Sequence, residues 1–205
     1  YFNKSKQKFS LAFTFLENKS KNNFSFGSTK SSRLIKKINF IHKIDELYLV
    51  EITGNNQKKT NWSENFQDKN YNINDYSLYP KLTYLSGENN RINFIYKLSN
   101  INNSIGNQES LKQQNFGISL FLNQKEKTGF ISDFNYFKNE FEGDINSVIS
   151  YIMMNGLQKG ENYTWSFKFQ RKLSKLIDAN FVYLGRKSNS ARTIHNGSIQ
   201  LKAIF

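Results

Sequence analysis

The chain has 205 residues, of which 38% are hydrophobic and 16% aromatic, with 29 Lys and Arg against 16 Asp and Glu for a formal net charge of +13. It contains no cysteine, which excludes disulfides and thiolate chemistry. No run of about 18 uncharged apolar residues is present, which excludes a helical membrane span.

A mean hydropathy of -0.65 does not exclude a membrane barrel, because a spanning strand needs only every second residue apolar. The abundance of Tyr (11) and Phe (19) against a single Pro favours strands. The positive charge invites a nucleic-acid partner. Against that, the lysines are spread along the chain among Asn and Ile instead of gathering in one arm. Solvated loops and a polar lumen, with codon bias towards A and T, account for the charge without nucleic acid. The chain begins at Tyr1 and shows no signal-peptide order, so the expectation is a processed chain or a section of a longer one.

In chain order, Phe9, Leu11, Phe13 and Phe15 alternate with Ser10, Ala12 and Thr14, followed by a turn-like stretch from Asn18 to Asn22. Leu34 to Ile52 is apolar but irregular, with room for a bulge or a longer strand, and Gly54-Asn-Asn56 reads as a turn. Tyr76 to Leu85 reads as a strand in which Pro80 predicts a bulge or the strand's end. After a turn at Gly87 to Asn90, Ile92, Phe94, Tyr96 and Leu98 face away from Asn93, Ile95 and Lys97. Phe116, Ile118, Leu120 and Leu122 form the next face, then a turn at Gln124 to Lys127, then Phe130, Phe134 and Tyr136 with Ser132 as a gap.

The clearest alternation is Tyr163, Trp165, Phe167 and Phe169 against Thr164, Ser166, Lys168 and Gln170. Ala179, Phe181 and Tyr183 precede a turn at Lys187 to Ala191. At the end, Ile199, Leu201, Ala203 and Phe205 alternate with Ser198, Gln200, Lys202 and Ile204. A chain that stops mid-strand on an aromatic residue resembles the C-terminal strand of bacterial outer-membrane proteins, whose alternating apolar residues and terminal Phe are read by the barrel-assembly machinery. That resemblance makes Ile199, Leu201, Ala203 and Phe205 the candidate assembly signal.

These segments predict an all-β fold, an antiparallel transmembrane β-barrel of about ten to twelve strands. Strands of about ten residues, at about 3.3 Å each and tilted by about 40°, cross the roughly 25 Å apolar band of an outer membrane. The apolar faces would meet lipid, with Tyr84, Tyr96, Tyr163, Trp165 and Tyr183 as candidates for the interfacial girdle. The polar faces would line the interior, with Lys97 and Lys168 as lumen-facing cations. Placing the C-terminus in the periplasm puts Leu173 to Lys175 there too. Gly185 to Thr193, Asn155 to Asn162, Gln124 to Lys127 and Gly87 to Asn90 are then expected outside.

Gly156-Leu-Gln-Lys-Gly-Glu-Asn-Tyr-Thr-Trp165, Tyr183-Leu-Gly-Arg-Lys-Ser188 and Ile194-His-Asn-Gly197 add a second likeness. Residues 130 to 205 resemble the C-terminal region of large outer-membrane proteins of the Bacteroidota, often of unassigned function. The resemblance implies that residues 1–205 are one outer-membrane barrel domain forming the C-terminal portion of a longer chain. Many surface proteins of that phylum work inside export, assembly or uptake complexes.

Elements of catalysis are sparse. His42 and His195 have no acidic residue at a ligand spacing, and His195 fits a strand start better than a metal site. Gly54, Gly87 and Gly106 are isolated turn glycines, and Gly-x-Ser-x-Gly is absent. Asp133, Glu140, Glu142 and Asp144 form the densest acidic group, expected across a solvated periplasmic turn with Gly143. No catalytic, metal or cofactor residue is assigned. The expected function is a non-enzymatic anchor or scaffold subunit of an outer-membrane secretion, assembly or uptake complex. Its partners would be outer-membrane lipid and lipopolysaccharide, the barrel-assembly machinery during biogenesis and other outer-membrane subunits, without nucleic acid. The alternatives are a small pore for anionic solutes, a lipid-acting barrel enzyme and a soluble basic β-protein that binds nucleic acid.

Overall fold

A computed structural model describes residues 8–203 apart from 88, 125, 126, 175 and 190. Ten strands follow one another as β1 (Phe9–Phe24), β2 (Gly27–Lys43), β3 (Tyr48–Ser63), β4 (Tyr71–Ser86) and β5 (Asn90–Asn103), then β6 (Ser110–Gln124), β7 (Thr128–Glu142), β8 (Gly160–Lys172), β9 (Ile177–Ser188) and β10 (Ile194–Ala203). One short helix, α1 (Val148–Met153), lies between β7 and β8. All ten strands form a single sheet in sequence order, each antiparallel to its neighbour. This is the antiparallel meander that the alternation predicts, at the lower end of the expected strand number.

Period-two alternation sorts the side chains onto two faces. One face carries Phe13, Ile38, Phe94, Ile118, Phe134, Phe181 and Ile199, all exposed. The other carries Thr53, Gln57, Thr83, Ser99, Gln113, Asn139 and Asn162, all buried. A water-soluble sheet would bury the first set and expose the second. Here the buried, inner face is the polar one.

Short turns join the strands at one end of the sheet. Between β2 and β3 the Asp45 carboxylate accepts from the backbone N–H groups of Leu47 (2.8 Å) and Tyr48 (2.7 Å), fixing the reversal. Gly87, at φ +71°, supplies the left-handed residue of the β4–β5 turn. Longer connections occupy the opposite end, residues 64–70, 104–109 and 143–159 among them. There Glu64 accepts from Ser28, through its N–H at 2.8 Å and its hydroxyl at 2.9 Å, while the Asn65 amide donates to the Phe26 carbonyl. The β1–β2 and β3–β4 connections are thereby tied together.

Several expectations are corrected. Asn18 to Asn22 is strand, paired in register with Arg33 to Thr29, and Gly54 to Asn56 is strand, paired with Leu78 to Tyr76. In both stretches polarity marks the point where the strand leaves the apolar band, not where it ends. Pro80 neither bulges nor terminates β4: it faces Ile52 across the β3–β4 ladder. The β4–β5 ladder is interrupted at Tyr79 and Pro80 and resumes in unchanged register from Lys81, as expected from one missing donor. The turns at Gly87 to Asn90 and Gln124 to Lys127 lie at the short-turn end, together with the β8–β9 turn that contains Leu173, not with the long loops. The acidic turn at Gly143 and the stretch Asn155 to Asn162, expected on opposite sides, belong to one connection between β7 and β8, so every turn before it changes side.

Candidate functional site: the polar face and its mouth

Along the inner face, paired strands present hydrogen-bonded side chains to one another. Thr53 donates to Asn39 (2.7 Å), Thr83 to Asn93 (2.8 Å), Gln113 to Asn139 (2.8 Å) and Ser166 to Asp133 (2.9 Å), and Lys81 forms an ion pair with Glu51 directly opposite it. Burial of these groups is tolerated because each finds a partner. Three buried acceptors on the same face, Asp75 Oδ1, Ser99 Oγ and Asn115 Oδ1, have no protein partner. Water in a lumen would satisfy them.

Pairing register places Arg33, Lys37, Lys59, Lys97, Lys168 and Arg186 on this face against Glu51, Asp75, Asp133 and Asp178. Lys97 and Lys168 therefore stand on the polar side. Tyr84, Tyr96, Tyr163, Trp165 and Tyr183 stand on the apolar side. Tyr84 packs on Tyr48 (5.3 Å between ring centres) towards the short-turn end. Tyr96 packs on Phe116 (4.4 Å) and Tyr163 on Tyr136 (5.3 Å), nearer the long loops. Ile199, Leu201 and Ala203 lie on the apolar side of β10, whereas Phe205 lies outside the described residues.

Residues that carry no alternation signal cover part of the mouth at the long-loop end. Ile73, Ile101, Leu111 and Phe141 occupy polar-face positions of β4 to β7, where water would be unfavourable, and α1 covers them with Ile149, Met153 and Met154. Ser147 caps α1, accepting from the Ser150 N–H at 3.0 Å. Asn162 secures the return of the loop. It is fully buried, donates to the carbonyls of Gln158 (2.8 Å) and Gly160 (3.1 Å), and accepts from Gln158 N–H (3.0 Å) and Ser188 hydroxyl (2.6 Å). A Ser ahead of the apolar run Val148 to Met154 was the available signal for this helix.

The expected acidic group is dispersed. Asp133 sits on the polar face against Ser166, Glu140 and Glu142 point outward near the long-loop end of β7, and Asp144 turns back onto the Asn146 N–H at 2.9 Å. Their connection lies at the end opposite to the short turns. Among the described residues no three His, Cys, Asp or Glu side chains gather as a metal site. His42 points outward beside Phe40, and His195, one residue into β10, meets the Tyr183 hydroxyl through Nδ1 at 2.7 Å.

No protein-family model matches the chain, and no curated protein matches it. Solved structures do. In-vitro folded OmpT, an outer-membrane protein of Vibrio cholerae, superposes with a TM-score of 0.57 at 9% identity, over 91% of this chain and 63% of that one. A loop L8 deletion mutant of the same protein gives 0.60 at 8% identity, over 91% and 62%, and its outer-membrane expressed form gives 0.54 at 9%, over 83% and 54%. The fold is that of an outer-membrane β-barrel. This chain spans less than two thirds of the length of these OmpT chains.

Proposed function

We propose that the chain builds part of the wall of a bacterial outer-membrane barrel and serves, without catalysing a reaction, as an anchor or scaffold subunit of an outer-membrane complex. The observation that carries this reading is the inverted sheet, with an aromatic and aliphatic outer face and a polar, hydrogen-bonded inner one. Only a hydrocarbon solvent makes that arrangement favourable. The apolar packing of α1 across part of the mouth supports a structural role over an open conduit. Outward-facing Lys19, Lys21, Lys30 and Lys58 lie towards the long-loop end of β1 to β3, around Trp62, and suit the phosphates of outer-leaflet lipopolysaccharide.

Membrane extraction after a urea wash, followed by planar-bilayer recording of the purified protein, tests this. The expected result is an integral protein that stays electrically silent and co-purifies with other outer-membrane subunits. Recovery in the soluble fraction would sink the membrane reading.

A second reading, a pore for anionic solutes, is favoured by the excess of cations on the polar face. Sustained anion-selective conductance that weakens in K97E and K168E would establish it in place of the scaffold.

A further inference from the structure

Gly54 lies in the middle of β3 on the outer face, paired with Ile38 on one side and Leu78 on the other. Its φ lies outside the left-handed region, and a Cβ built there would have no atom within 4 Å. Neither backbone geometry nor a crowded neighbour therefore calls for glycine, although glycine weakens a strand interior. What it leaves is a notch in the apolar face. A strand glycine of this kind marks a place where a ligand approaches the backbone closely.

A groove of about 930 Å³ passes over the notch, between walls formed by Phe13, Ile38, Tyr76, Leu78 and Leu98, all exposed. Nearer the short turns a second groove of about 570 Å³ continues over Ile52, Pro80, Leu82 and Tyr96. From Asn56 to Val50 the two follow β3 for roughly 20 Å, at about 3.3 Å per residue. That is enough to carry an extended chain through one leaflet of a hydrocarbon core about 30 Å thick.

At the long-loop edge of the groove the chemistry changes. Lys36 lies opposite Asn56 and diagonal to Lys58 on the outer face. Like charges at that spacing repel, and an anion between them relieves the repulsion. Among the described residues the ion pairs are Lys19 with Glu17, Lys81 with Glu51 and Lys138 with Glu140, so neither Lys36 nor Lys58 has one. Glu17, in register with Lys58 across Leu34, is held by Lys19 at 2.7 Å. Long lysine stems let both ammonium groups reach headgroup level. In membrane barrels the longer loops face outside, so a lipid at this edge belongs to the outer leaflet.

A ligand that matches both halves carries phosphate at one end and saturated chains at the other. We propose that Lys36 and Lys58 bind a phosphate of lipid A, the membrane anchor of lipopolysaccharide, with one of its acyl chains seated over Gly54 and running towards Pro80. The inference deepens the outer-membrane reading above and rests on it. Phospholipids share the phosphate and the chains. Lipid A is favoured by the leaflet and by the further outward cations Lys19, Lys21 and Lys30 on the same side.

Native mass spectrometry of the protein extracted from its own membrane, stripped of lipid and titrated with purified lipid A, tests this. The expected result is one tightly held lipid A per wild-type chain. The double variant K36E/K58E should weaken binding about tenfold or more, through lost attraction. Gly54→Leu should weaken it comparably by filling the notch, and Gly54→Ala by less. Because a Cβ at this position meets nothing, both glycine variants keep the sheet intact, which circular dichroism checks. Equal binding by wild type and Gly54→Leu, or no effect of K36E/K58E, overturns the proposal. So does equal affinity for phosphatidylglycerol, or a second protein chain retained over the groove in place of lipid. Loss of the protein to the urea wash is a different result and removes the membrane reading itself.

Discussion

Asn162 binds both sides of the loop that carries α1, and no other residue type offers two donors and an acceptor there in that volume. Asn162→Ala leaves buried polar groups unsatisfied and is expected to cost about 2–4 kcal/mol, read as a lower urea midpoint in liposomes. Gly185 faces the Trp165 indole, which lies where any β-carbon would stand. Gly185→Ala must displace the ring, so a red-shifted Trp165 emission in a Trp62→Phe background is expected, with a loss of about 1–3 kcal/mol. Unchanged emission would mean that the indole is not seated there.

Glu64 responds to pH. The Ser28 N–H and hydroxyl hold its carboxyl below the ordinary carboxylate range of about 4.3. A depressed folded value means that the contact is fully present above the unfolded value and disappears as pH falls through the lower folded one. Limited proteolysis of residues 64–70 should accelerate below about pH 4, and Glu64→Gln should remove that pH dependence. Gly185 and Glu64 were hidden from the sequence because they act through partners 20 and 36 residues away, and Asn162 because its local bonds to Gln158 and Gly160 are completed by Ser188, 26 residues on.

At the level of the element, the periodicity of β1, β5, β6, β8 and β10 could be read directly, since aromatic and aliphatic residues recur every second position. The long polar reaches of β1 and β3 could not. Once a strand rises past the hydrocarbon, both faces meet water and the alternation that identifies it vanishes, although the ladder continues to Phe24 and Ser63. The helix α1 was missed for another reason: with six residues it is too short to show a stripe. Its hold on the mouth comes from Ile149 and Met153 burying against strand positions. The double variant I149A/M153A should cost the loop about 4–6 kcal/mol of packing. Protease cleavage within 143–159 should rise sharply while the strands keep their amide protection. Equal loss of protection in β4 to β7 would show that the cluster holds the sheet and not merely the loop.

For the whole molecule, the two faces make opposite demands on substitution. Phe94 lies mid-band on the outer side, and Phe94→Arg should cost about 2–4 kcal/mol in a bilayer. Lys168 lies on the polar side of β8 and is exposed, so Lys168→Ser should change stability by less than about 0.5 kcal/mol. Similar penalties at both sites in urea titrations would refute the assignment of faces. Fold class followed from the sequence because hydrocarbon imposes one rule on every strand. Loop side did not, since a single miscounted connection inverts the placement of each turn before it.

Every ladder in the sheet joins strands adjacent in the chain. That has a kinetic meaning. Contacts between sequence neighbours require only short loops to close, so hairpins of this kind form within microseconds once the chain meets a suitable solvent. The slow event in the life of such a sheet is the non-local one, in which the edge strands β1 and β10 find their partners, and whatever guards those edges until then governs the yield of folded protein.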